Sequence, residues 1–117
     1  MKLTFVETRQ FEKRVPRVLD DVAFERFKKE LAVNPTLGKV IPGTGGLRKQ
    51  RLGDPNRGKG KRGGARVIYQ WVPISDLVIF VMIYGHDQKD DLTPKEKDLA
   101  REEVNRIKQE FLKRKER

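Results

Sequence analysis

Residues 65–85 read ARVIYQWVPISDLVIFVMIYG, and their pattern decides the fold. The first eight, ARVIYQWV, are dominated by β-branched and aromatic residues and predict a strand. Alternation places Val67, Tyr69 and Trp71 on one face and Arg66, Ile68 and Gln70 on the other. PISD is a turn. LVIFVMIY, residues 77–84, is apolar on both faces, which predicts a central strand. The link between the two strands is too short for a parallel crossover, so they pair antiparallel.

Working outward, LRKQRL (47–52) alternates with period 2 and predicts a third strand, joined to the first by the loop GDPNRGKGKRGG (53–64). KLTFVET (2–8) reads as an opening strand. RQFEKRVPRVL (9–19) is a short helical or turn segment interrupted by Pro16. Asp20 or Asp21 can cap a helix over residues 21–34, with Phe24, Phe27 and Leu31 on one face. Asn34-Pro35 stops that helix, and LGKVIPGTGG (37–46) is a turn-rich connection. TPKE (93–96) is a capping box with proline at the first helical position. The helix that follows runs to residue 115 with Ala100, Val104, Ile107 and Phe111 as its apolar stripe. The order strand, helix, helix, three strands, helix predicts a single α+β domain over residues 1–117. Its sheet is mostly antiparallel, with the two N-terminal helices on one face and a C-terminal helix.

The chain has 117 residues, 36% of them hydrophobic and 38% charged, with a formal net charge of +10. That length can bury a core without disulfides or a metal. The charge favours a polyanionic partner: nucleic acid, an acidic protein or an anionic membrane surface. With no cysteine and one histidine, thiol chemistry is excluded and a structural zinc site is not expected. The opening residues lack the apolar core of a signal peptide, and no apolar run approaches the roughly 18–20 residues that span a bilayer. The expected location is the cytoplasm, with no membrane partner.

The basic segment resists a nucleotide-binding reading. GTGGLRKQ (43–50) and GKGKRGGA (58–65) both lack the P-loop spacing, and neither leads from a strand into a helix that could hold a phosphate. A charge run by itself is ordinarily a solvated surface. Here, however, Arg48, Lys49, Arg51, Arg57, Lys59, Lys61, Arg62 and Arg66 face a single acid, Asp54, between residues 48 and 66. A phosphate-binding surface needs one sign of charge; a solubilising one does not. Arg66 also sits beside the apolar strand 77–84, which is costly unless an anion or carboxylate meets it. A salt bridge to Asp87, Asp90 or Asp91 is the structural alternative. Tyr84 and His86 lie where that strand ends. Tyr84 can stack on a base, bond a phosphate or cap the core. His86 can move a proton near neutral pH or simply be exposed.

GTGGLRK (43–49), GKGKRGG (58–64) and IYG (83–85), with the strands around them and the two leading helices, resemble the RelE/ParE superfamily of toxins, nearest its HigB-type, RelE-like branch. The resemblance covers nearly the whole chain. It implies a small basic α+β toxin that enters the ribosomal A site and cuts mRNA. The ribose 2′-hydroxyl attacks the adjacent phosphate, leaving a 2′,3′-cyclic phosphate and a 5′-hydroxyl, with no cofactor or metal. It also implies a cognate HigA-like antitoxin, with operator DNA bound only through the toxin–antitoxin complex.

Arg66 matches the family's strand arginine that supports the scissile phosphate. Lys49 and Arg51 match the approximate position of its paired strand lysines. Lys61, Tyr84 and His86 complete the candidate catalytic set; Arg48, Arg57, Lys59, Arg62 and Lys89 are candidate RNA contacts. Fixed cations stabilise the charge that in-line attack builds on the phosphoryl oxygens. A catalytic tyrosine that some members carry beyond the last strand falls near Thr93, and an arginine found after the strand glycine falls near Asp87, where Lys89 can stand in. Two other functions compete: a ParE-like toxin that poisons gyrase, and a basic nucleic-acid-binding protein with no chemistry.

Overall fold

The computed structural model describes residues 2–53, 64–85, 88 and 91–115. The elements are β1 (Thr4–Glu7), α1 (Arg9–Val18), α2 (Asp21–Val33), β2 (Lys39–Val40), β3 (Leu47–Leu52), β4 (Ala65–Val72), β5 (Leu77–Gly85) and α3 (Pro94–Lys115). They build one five-stranded sheet in the order β1-β5-β4-β3-β2. The pairs β3–β4 and β4–β5 are antiparallel, as their short links require. β1 lies parallel to β5, with Phe5 opposite Val78. β2 adds a two-residue antiparallel strand from within the turn-rich connection.

β5 is covered on both faces. On one, Val67, Tyr69, Val78, Phe80 and Ile83 pack under α1 and α2 through Phe11, Phe24, Phe27 and Leu31. On the other, Leu47, Ile68, Leu77, Ile79 and Val81 pack under α3 through Ala100, Val104 and Ile107. Phe80 is the hub of the first face. Its ring centroid lies 5.1 Å from Phe11, 5.2 Å from Phe24, 5.7 Å from Phe5 and 6.2 Å from Phe27. The Tyr69 hydroxyl is satisfied inside the core: it accepts from Gly38 N at 2.8 Å and donates to Pro35 O at 2.9 Å. Burial raises its pKa, so the phenol stays neutral.

The helices begin where their caps direct. Asp20 accepts from Val22 N at 2.7 Å. Thr93 and Glu96 exchange the two bonds of a capping box, at 2.9 and 3.2 Å. α1 continues through Pro16, which falls in its last turn, so the missing N–H removes little of the ladder. Among the described residues no helix is long and apolar enough to cross a membrane.

One irregularity sets the phase of β5. Ile68 pairs with Met82 but Tyr69 pairs with Phe80, so Val81 is an extra residue on β5. Its carbonyl accepts from Thr8 Oγ1 at 2.8 Å, and Thr8 Oγ1 in turn accepts from Phe11 N at 3.1 Å to cap α1. The bulge shifts the alternation by one. Without it Tyr84 would share the face of Phe80; with it, Tyr84 joins the α3 face.

Candidate nucleic-acid interface

On the α3 face the register aligns Arg51, Arg66 and Tyr84 across β3, β4 and β5. Alternation from Leu47 places Lys49 and Arg51 on this face, and alternation from Ile68 places Arg66 there. Lys49 lies in the next row, opposite Ile68 and Met82. Four residues from three strands thus converge at the end of the sheet where loop 53–64 leaves and returns. Arg66 is only 2% exposed and Tyr84 1%, while Arg51 reaches solvent. The register sets the two guanidinium groups of Arg51 and Arg66 in one row, which concentrates positive charge at this end of the face.

Tyr84 belongs to the buried cluster on the α3 face, opposite Arg66 in the register, and at 1% exposure it offers no open face for a base. Lys49 Nζ lies 3.0 Å from Asp91 Oδ1. Hydrogen bonding to Lys49, with the charges of Lys49, Lys97 and Arg51, holds the Asp91 carboxyl below the usual carboxylate range. Asp91 is one of the three acids that sequence offered as partners of Arg66; Asp87 and Asp90 lie outside the described residues.

Arg48 is not brought to this cluster. It points to the opposite face, where its Nη1 donates to Gly38 O at 2.8 Å and Thr36 O at 3.3 Å. Arg57, Lys59, Lys61, Arg62, His86 and Lys89 lie outside the described residues. Gln88, which the sequence did not single out, ends β5: its Oε1 accepts from Gly85 N at 2.8 Å. GTGG is confirmed as a turn leading into a strand, with Gly45 and Gly46 at positive φ, so the helix N-terminus of a P-loop is absent there.

Gly64 fixes the return of the loop next to Arg66. A Cβ built on it would stand 1.8 Å from Leu52 O, a backbone atom that cannot rotate away. Gly64→Ala is expected to cost about 1–3 kcal/mol by overpacking, read as a lower urea midpoint at unchanged m-value. An unaltered midpoint would show that the loop base yields freely.

No protein-family model matches the chain. Among solved structures it is similar to the E. coli toxin RelE, in the free state of a mutant with two arginines replaced by alanine. The two share 19% identity at a TM-score of 0.57, over 92% of this chain and 99% of that one. The chain therefore has an α+β fold, as its sequence pattern predicts, and of the RelE-like kind that the resemblance implied.

Proposed function

We propose that the chain, which shares the RelE fold, is a HigB-type toxin of a type II toxin–antitoxin pair and acts as a ribosome-dependent endoribonuclease. One observation carries this reading: Lys49, Arg51 and Arg66 converge on one sheet face at the base of the basic loop. Arg66, fixed by strand pairing and burial, stands at the scissile phosphate. As the 2′-hydroxyl attacks in line, its guanidinium meets the charge growing on the non-bridging oxygens. Lys49 and Arg51 hold flanking phosphates, and Lys59 and Lys61 of the basic loop add further positive charge for the RNA. His86 follows Gly85 directly and supplies the one imidazole able to move a proton near neutral pH. The reaction needs positioned cations and no metal.

In this reading the A site supplies the remaining alignment of the mRNA, and the protein works where ribosomes are, in the cytoplasm. A HigA-like antitoxin neutralises the toxin, and operator DNA is reached only through that complex. Pulse labelling after induced expression tests the reading. Amino-acid incorporation is expected to stop first, with DNA synthesis continuing. Early arrest of DNA synthesis with linearised plasmid would instead identify a gyrase poison.

A further inference from the structure

We propose that Asp91 is a built-in competitor for the phosphate at Lys49: its carboxylate holds the ammonium until an RNA phosphate displaces it, so RNA binding to this face is set against an internal anion. The inference rests on the nuclease reading above.

The two partners are unequal in exposure. The Lys49 side chain is 21% exposed and that of Asp91 84%, so an open carboxylate reaches in to a mostly covered cation. With its carboxylate open to water, the pair adds little to stability. The segment does not depend on it either. Leu92 is buried in the core beside Asp91, and the Thr93–Glu96 capping box seats α3 next to that. Asp91 can therefore swing away while its neighbours stay in place. Arg51 and Lys97 act on the same carboxylate, which stays ionised throughout the physiological range. A phosphodiester carries the same single charge over two oxygens, so it can replace the carboxylate at Lys49 without new geometry. The exchange gives selectivity: a lone anion gains little by displacing Asp91, whereas an RNA strand that also engages Arg51 and Arg66 gains several contacts at once.

The test is co-sedimentation with 70S ribosomes carrying an mRNA whose A-site codon is 2′-O-methylated and so uncleavable. Asp91→Asn is expected to bind about 3- to 10-fold tighter at low salt, with the gain fading as salt rises. Glu25→Gln is the matched control, since it also opens a lysine–carboxylate pair, with Lys28, on α2. It should bind as the wild type does. Adding Lys49→Met should erase the gain of Asp91→Asn. An equal gain in Glu25→Gln, no gain in Asp91→Asn, or a gain that survives Lys49→Met would overturn the competitor role and leave the nuclease reading standing. Absence of binding by every variant, wild type included, would overturn that reading and this proposal with it.

Discussion

Replacing Arg66 with methionine is expected to slow mRNA cleavage on the ribosome by about 100- to 1,000-fold, the loss typical of removing one transition-state donor. Methionine is the informative substitution because Arg66 is almost fully buried. It fills the slot left by the arginine stem, so little cavity remains. The melt reports the cost of removing the buried charge, and a loss of activity far larger than any loss of folded protein belongs to the missing guanidinium. Arg66→Lys keeps the charge but loses the two-pronged guanidinium, and should recover only part of the rate. Single-turnover cleavage and a thermal melt on the same preparations separate the two effects. Full activity in a folded Arg66→Met protein would remove Arg66 from the chemistry.

The largest effect on stability is expected at Phe80, far from the cationic face. Its ring meets those of Phe5, Phe11, Phe24 and Phe27, and so joins β1, α1 and α2 to the central strand. Phe80→Ala removes the common partner of all four and leaves a cavity that no single neighbour can fill. The expected cost is about 3–5 kcal/mol by urea denaturation, a large share of the roughly 5–15 kcal/mol that holds a domain of this size. Phe80→Leu should cost less, because most of the volume remains. A loss below about 1 kcal/mol for the alanine variant would mean that the helices close onto the sheet without it.

The central strands were legible because their composition and alternation are local properties. Val67, Tyr69 and Trp71 face α1 and α2 as the period-2 pattern required, and the Thr93–Glu96 box formed as written. The bulge at Val81 was not legible, for a physical reason. LVIFVMIY is apolar at every step, so it carries no alternation from which a change of phase could be read. The placement of Tyr84 beside Arg66 follows from that hidden shift. β2 was missed because two residues cannot show a period. The parallel docking of β1 on β5 joins segments about 70 residues apart, and nothing local encodes it.

At the candidate site, one-sign charge and the position of Arg66 pointed to this stretch, and the strand register places Lys49, Arg51 and Arg66 on one face. The same charge count could not distinguish Arg48 from Lys49, although adjacent strand residues point to opposite faces. Only the pairing, with Arg48 opposite Tyr69 and Lys49 opposite Ile68, assigns each to its side. The Lys49–Asp91 contact depends on how the segment before α3 returns to β3. Spacing in the sequence carries no signal for that.

A ribosome-dependent nuclease cuts mRNA only on the ribosome. Primer extension on a defined mRNA, with purified protein and with or without 70S ribosomes, tests it most directly. Cuts at A-site positions only when ribosomes are present, lost in Arg66→Met, are the predicted result. Cleavage of naked mRNA at the same rate, or no cleavage in either reaction, would contradict it.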